Sequence, residues 1–262
     1  TFRSPSRFLR PGKEMRAVDD ISLTLNQGEV LGIVGQSGSG KTTLGRMIMR
    51  LAEPSSGEIL FDGVNIAHLD WRGLKPFRRR MQMIFQDPYA SLNPRLNVLD
   101  LISEPLFAHF PQMSTAERRD RVCELLELVR LDPAWIERHP HEFSGGQRQR
   151  ISIARAIAVQ PEIIVADECV SALDVSIRKE ILTLLQGLKE RLGLTMLFIS
   201  HDLAVVEGFA DRVGVMYRGK LVECSDTHSL FRSPEHDYTK SLLAAIPTID
   251  NGRKSGPSYS AP

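Results

Sequence analysis

The chain has 262 residues, and its 33 Lys+Arg against 32 Asp+Glu leave a net charge of +1 at pH 7, so no overall basic field recruits nucleic acid. Hydrophobic residues at 42% and charged ones at 25% exclude bulk disorder, and no apolar run approaches the ~18 residues of a membrane helix. Three scattered cysteines, Cys123, Cys169 and Cys224, argue against a disulfide framework or a zinc site and favour the reducing cytosol. No signal-peptide core is present, and the opening Thr1 reads as a piece of a longer chain. In chain order, Ile21, Leu23 and Leu25 alternate with Ser22 and Thr24, which predicts a half-buried strand ending at the turn Asn26-Gln27-Gly28. Val30–Val34 is continuously apolar, the pattern of a strand buried on both faces. A Gly-rich loop follows, then a helix from about Lys41 to Leu51. Ile59-Leu60-Phe61 runs into the hairpin-type turn Asp62-Gly63. Met81–Phe85 is another short strand.

From Asp87 to about Gln160 the character is helical. Ser114-Thr115-Ala116-Glu117 fits a capping box, and Val122, Leu125, Leu126 and Val129 share one helical face. Ile163–Ala166 is a strand. The next helix carries Ile177, Ile181, Leu184, Leu188 and Leu192 on one stripe and stops at Gly193. Met196–Ile199 is a buried strand, and Val213–Tyr217 with Leu221–Glu223 flank Arg218-Gly219 as a hairpin. Residues Cys224–Pro262 read as an extended Ser/Pro-rich tail with one short helix near Leu242. There is no internal repeat. Strands alternating with helices predict a parallel α/β sheet with a helical insertion.

The chemistry concentrates in a few segments. Gly35-Gln36-Ser37-Gly38-Ser39-Gly40-Lys41-Thr42 matches G-x-x-x-x-G-K-[ST] directly after a strand and opens a helix. Glycines let backbone N–H groups converge on phosphate oxygens, and the helix N-terminus adds its positive dipole end. Lys41 supplies a point charge for the β- and γ-phosphates, and the Thr42 hydroxyl can ligate Mg²⁺. Asp167 and Glu168 end an apolar strand, where carboxylates point into the ligand crevice of a parallel sheet. Asp167 is the candidate Mg²⁺ acid and Glu168 the candidate general base. Phe143-Ser144-Gly145-Gly146-Gln147 reads as a second anion-binding helix start. One nucleotide does not need two such sites from one domain, so this segment is assigned to a neighbouring subunit's γ-phosphate. The clusters Arg78-Arg79-Arg80 and Arg118-Arg119-Arg121 read as solvated faces rather than a nucleic-acid surface.

Together these segments resemble the ATP-binding-cassette ATPases: Walker A at Gly35–Thr43, a Q-loop at Gln86, the signature Ser144–Gln147, Walker B at Ile163–Glu168, a D-loop Ser171-Ala172-Leu173-Asp174 and a switch His201. The spacings Lys41 to Gln86 (45 residues), Ser144 to Glu168 (24) and Glu168 to His201 (33) are similar to the family's. Taken alone, Gln86 would be a surface amide and His201 a core or capping histidine; their roles come from the resemblance. It implies a P-loop NTPase (RecA-like) core with a mainly parallel sheet, an antiparallel β subdomain and an inserted helical subdomain. The expected division is 1–86 with 161–223 as nucleotide-binding core, 87–160 as helical subdomain and 224–262 as C-terminal extension. It also implies that ATP is held by Gly35, Gln36, Ser37, Gly38, Ser39, Gly40, Lys41, Thr42 and Thr43 of one cassette. Ser144, Gly145, Gly146, Gln147 and Asp174 complete the ATP sites. Thr42, Gln86 and Asp167 are the implied Mg²⁺ contacts, and Glu168, His201 and Gln86 the implied catalytic set.

The segments Phe85–Arg95, Ser171–Ser176 and His236–Pro247 further resemble the ATPases of oligopeptide, dipeptide and nickel importers. No cysteine follows Cys224, so the iron–sulfur cluster that such tails often carry is not supported. The family stacks adenine on an aromatic residue upstream of Walker A; Phe2 is the candidate and Phe8 the alternative. Cys169 follows Glu168 where the family usually has proline, which leaves Glu168 less firmly oriented. The implied assembly comprises transmembrane permease subunits, a second cassette (identical, paralogous or fused) and a solute-binding protein, without nucleic acid. The implied location is peripheral, on the cytoplasmic face of the inner (plasma) membrane. An exporter cassette is separated from this reading only by the Q-loop extension and tail, and a non-transport cassette is the further alternative.

Overall fold

The computed structural model describes residues 2–3 and 14–245. In chain order its elements are β1 (Phe2–Arg3), β2 (Glu14–Met15), β3 (Val30–Val34), α1 (Lys41–Ile48), β4 (Leu60–Phe61), β5 (Val64–Asn65), α2 (Trp71–Arg80) and β6 (Met81–Ile84). Then come α3 (Pro88–Ser91), α4 (Val98–His109), α5 (Thr115–Leu128), α6 (Gly145–Ile157), β7 (Ile163–Asp167), α7 (Val175–Leu192) and β8 (Thr195–Ile199). The last are α8 (Leu203–Glu207), β9 (Arg212–Tyr217), β10 (Lys220–Asp226), α9 (Thr227–Arg232) and α10 (Asp237–Ala244).

The central sheet has six strands in the order β10-β9-β3-β8-β7-β6. Every neighbouring pair is parallel except β9 with β10, which form the hairpin expected at Arg218-Gly219. Both turn residues there have positive φ, 49° and 83°. The same holds at Asp62 and Gly63, 49° and 78°, between the antiparallel β4 and β5. Two consecutive left-handed residues match the right-handed twist of flanking strands, which is why Asp-Gly and Arg-Gly serve.

The continuous apolar strands are apolar because helices cover both faces. Val30, Val34, Ile164, Ala166, Met196 and Phe198 pack into one core with α4, α5, α6 and α7. Their alternate neighbours Leu31, Ile33, Val165, Leu197 and Ile199 pack on the other side with Leu44 of α1, Leu74 of α2 and Phe61. The helical segment 88–157 shares the first of these cores, through Leu101, Ile102, Leu125 and Ile151.

Three expectations are revised. Residues 21–25 alternate between half-buried and exposed as predicted, yet they form no strand ladder. Their apolar side chains still pack against the second core, so alternation reported burial and not pairing. The helix α2 has no counterpart in the sequence reading; it buries Leu74 alone and is otherwise Arg-rich and Pro-containing. The tail is not extended at its start: β10 runs to Asp226 and α9 follows before the expected helix near Leu242, here α10.

Candidate nucleotide-hydrolysis site

The Gly-rich loop leaves the C-terminal end of β3, between β8 and β9, and opens α1. Two of its glycines are required by geometry. Gly35 has φ 150°, and a Cβ there would lie 2.2 Å from the Met216 carbonyl oxygen. Gly40 has φ 106°, and a Cβ there would lie 2.1 Å from the Ala17 carbonyl oxygen. Both approaches are closer than any real Cβ contact, so only glycine fits. Gly40 provides no side-chain cap and the first turn of α1 holds no acid. The N–H groups and positive end of α1 are therefore left for an anion. The Ser39 hydroxyl is buried within the loop and has no protein partner, an orphan donor that suits a phosphate oxygen.

Lys41 is 4% exposed, and its Nζ donates to the carbonyls of Gly35 at 2.7 Å and Gln36 at 3.1 Å. Burial lowers its pKa, opposed by the charges of Glu168 and Asp167. The Thr42 hydroxyl donates to Asp167 Oδ1 at 2.9 Å. Burial raises the pKa of the Asp167 carboxyl; the Thr42 hydrogen bond opposes this and the Glu168 charge adds to it. Thr43 lies half-buried in α1.

Glu168 is where distant parts of the chain converge. Lys41 Nζ lies 3.9 Å from Oε1. The Gln86 amide donates to Oε2 at 3.0 Å. His201 Nδ1 is 3.2 Å from Oε2, an ion pair when the ring is protonated. The backbone of Glu168 has φ 46°, an uncommon conformation for a non-glycine residue. It is held there: its N–H donates to the Ile199 carbonyl at 2.9 Å, and its own carbonyl accepts from the N–H (3.1 Å) and hydroxyl (2.8 Å) of Ser171. Both the carboxylate and the backbone of Glu168 are thus anchored although cysteine, not proline, follows it.

Cys169 itself is 2% exposed, and burial pushes its thiol up to about 12. It is expected to resist alkylation in the folded chain at pH 8 while the half-buried Cys123 and Cys224 react. Mass-spectrometric mapping of modification with and without denaturant checks this; modification of all three at one rate overturns it.

Ser144 to Gln147 form a capping box at the start of α6. The Ser144 hydroxyl accepts from Gln147 N at 3.3 Å, and Ser144 N donates to the Gln147 side chain at 2.9 Å. Gly146 has a packing reason that the sequence reading missed. A Cβ there would lie 2.5 Å from Ile177 Cγ2, so glycine lets α6 approach α7. Gly145 faces Leu173 of the D-loop, its notional Cβ 3.8 Å away. Asp174 is exposed at the N-terminus of α7 and makes no capping hydrogen bond. Among the described residues, no hydrogen bond or ion pair joins Ser144–Gln147 or Asp174 to the phosphate loop or Glu168. The chain therefore brings together one cluster, Gly35–Thr43 with Gln86, Asp167, Glu168 and His201, and separately a second, the signature with the D-loop.

Phe2 lies in β1, whose backbone pairs with β2; its side chain, and the whole of Phe8, fall outside the described residues. The carbonyl walls at Ala17 and Met216 had no sequence signal, since any residue carries that group.

A Gly-rich loop between parallel strand and helix, with a lysine on its carbonyls and two carboxylates at the end of β7, one strand removed from β3, defines a P-loop nucleotide hydrolase. The ABC transporter family model matches residues 18–171, and the chain belongs to that family: it is an ATP-binding cassette ATPase. It is similar to the oligopeptide transport ATP-binding protein OppF of Bacillus subtilis (strain 168), 54% identical over 93% of this chain and 80% of that one. It is also similar to AppF, an oligopeptide transport ATP-binding protein of the same organism, 51% identical over 95% of this chain and 75% of that one. Among solved structures, the dimeric post-hydrolysis state of the ATP-binding cassette MJ0796 bound to ADP and Pi superposes with a TM-score of 0.75. It is 34% identical, covering 83% of this chain and 94% of that one.

Proposed function

We propose that this chain is the ATP-hydrolysing subunit of a peptide importer, acting with Mg²⁺ at the cytoplasmic face of the plasma membrane. Among the described residues no helix is long and apolar enough to cross a membrane, so in this reading separate permease subunits carry the pathway. A solute-binding protein delivers the peptide. The names of the relatives and the Q-loop extension and tail support peptide as the solute class. The dimeric cassette to which the chain is similar supports pairing with a second cassette.

The observation that carries the catalytic reading is the meeting of Lys41, Gln86 and His201 on the Glu168 carboxylate. With nucleotide bound, the loop N–H groups and Lys41 bind the phosphates. Thr42 and Asp167, together with Gln86, would hold Mg²⁺. Among the described residues no group of three or more His, Cys, Asp or Glu builds a metal cage, and Mg²⁺ is commonly held by few protein oxygens plus substrate phosphates. Bound Mg²⁺ neutralises charge developing on the transferred phosphoryl group. Glu168 accepts the proton of the attacking water, Gln86 and His201 fix the direction of its carboxylate, and His201, 54% exposed, faces the open side.

Co-purification from membranes tests the assembly: permease subunits and a second cassette should accompany the chain, and recovery of the chain alone would remove the importer reading. A pH dependence tests the metal acid. Because burial raises the Asp167 pKa, its proton returns at a higher pH than for an ordinary Asp. A protonated Asp167 is a poor Mg²⁺ ligand. Mg-ATP affinity should therefore fall as pH falls, beginning at a higher pH than for an ordinary Asp and more steeply than in Asp167→Asn, which should be weaker throughout and keep only the pH dependence of the nucleotide's own phosphates. Titrations of Mg-ATP binding between pH 5 and 8 measure this; the same slope in both proteins would overturn it.

A further inference from the structure

The C-terminal helix α10 touches the phosphate loop. Tyr238, in its first turn, accepts a hydrogen bond at its hydroxyl from the backbone N–H of Gln36, at 3.1 Å. Its ring lies against that of Tyr217 at the end of β9, with centroids 4.1 Å apart. The start of the helix is pinned independently. Glu223, just past a bulge in β10, accepts from the N–H groups of Glu235 at 2.9 Å and His236 at 3.1 Å. His236 Nδ1 in turn accepts from Tyr238 N at 3.1 Å. A second strap lies beside the first: the N–H of Gly219, in the β9–β10 turn, donates to the Ser39 carbonyl at 2.9 Å.

The Gln36 N–H and the Gly35 carbonyl belong to one planar peptide unit. The Gly35 carbonyl accepts from Lys41 Nζ. One rigid plane therefore carries Lys41 on one edge and Tyr238 on the other, and rotating it moves both. Lys41 Nζ also holds the Gln36 carbonyl, on the next peptide unit, so the lysine grips two successive planes of the turn and Tyr238 the first of them.

We infer that Tyr238 is a positioning residue for nucleotide binding, holding in register the Gly35–Gln36 peptide whose carbonyl Lys41 grips. The inference rests on the reading of Lys41 as the phosphate-binding lysine. Loss of the Tyr238 hydroxyl frees that peptide and weakens binding, while an exposed hydrogen bond of this kind is worth little to the fold as a whole. A single neutral hydrogen bond corresponds to roughly a 2–10-fold change in an equilibrium constant.

The test is Tyr238→Phe in the full chain, which keeps the ring against Tyr217 and removes only the acceptor. Three quantities are measured: ATP affinity by equilibrium titration, the thermal midpoint without nucleotide, and amide hydrogen exchange of the segment containing Gln36. Affinity should fall roughly 2–10-fold, the midpoint should move by no more than about 2–4 °C, and exchange at Gln36 should quicken. Tyr217→Leu, which removes the ring contact and keeps the hydroxyl, should give a smaller loss of affinity. Unchanged affinity and exchange in Tyr238→Phe overturn the inference. So does a midpoint lowered by more than this, with faster exchange along the whole chain, which would make Tyr238 only an anchor of α10. If the unaltered chain itself failed to bind ATP, the reading of the loop would fall, while exchange at Gln36 in the free chain would still report on the clasp.

Discussion

Glu168→Gln is expected to slow ATP hydrolysis by roughly 10²–10⁴-fold, the usual worth of a positioned general base, and to leave Mg-ATP binding intact. The side chain sits at the end of β7 with its carboxylate between Lys41, Gln86 and His201. Glutamine has the same length and keeps one accepting oxygen for Gln86 and His201, losing only the 3.9 Å ion pair with Lys41. It has no basic oxygen able to take a proton from water. The backbone anchors of residue 168, to Ile199 and Ser171, do not involve the carboxylate and persist. The groups assigned to the phosphates, Lys41, Thr42 and the loop amides, are untouched. The variant should therefore bind ATP, close with its partner cassette and stall, so that ATP-bound dimers accumulate. Asp167→Asn should separate cleanly from it by losing Mg²⁺-dependent binding, since Asp167 and not Glu168 meets the Thr42 hydroxyl. Rate, Mg-ATP affinity and dimer fraction measured in the assembled transporter decide the matter. Undiminished hydrolysis in Glu168→Gln would remove Glu168 as the base and place the chemistry in a partner cassette.

What could be read from the amino acids alone was whatever depends on residue type at a fixed spacing. The loop from Gly35 to Thr42 is of this kind, because left-handed backbone and close approach to the Met216 and Ala17 carbonyls demand glycine. The buried strands β3, β7 and β8 are also of this kind, because helices on both faces demand continuous apolar side chains. Convergence in space was not legible in this way. Nothing about Gln86 or His201 as residues announces that they meet Glu168; only resemblance to a family supplied it. Gly146 shows the opposite failure. It was read as a donor for phosphate, yet its lack of a side chain is already demanded by Ile177. The segment 21–25 carried the right burial rhythm without a ladder, since period-two alternation records which side faces a core and not what the backbone pairs with. Helix α2 was missed because its apolar stripe is only Leu74 and Phe77, set among arginines and interrupted by Pro76.

The separation of the two clusters leads to the sharpest test of how cassettes pair. Within one chain Ser144–Gln147 pack on the D-loop and α7, away from Lys41 and Glu168. If the signature completes the site of a second copy, each site of a dimer draws its base from one chain and its signature from the other. Ser144 is exposed, so Ser144→Arg costs the fold only its cap, about 1 kcal/mol. It nevertheless places a long cation where a facing phosphate would bind. Consider dimers assembled from two differently tagged copies. With Ser144→Arg on one copy and Glu168→Gln on the other, both lesions fall in the same composite site, and the second site keeps its full set. With both substitutions on one copy and none on its partner, each site carries one lesion. The first arrangement should retain about half of the hydrolysis if the sites act independently, or a smaller measurable fraction if they alternate. The second should lose it by roughly 10²-fold or more, as expected when every site lacks either its base or its facing donors. Steady-state ATP hydrolysis of the purified mixed dimers distinguishes the two. Were the signature to serve the phosphate loop of its own chain, the ranking would reverse, because the doubly substituted copy would leave its partner's site whole while the split arrangement would damage both.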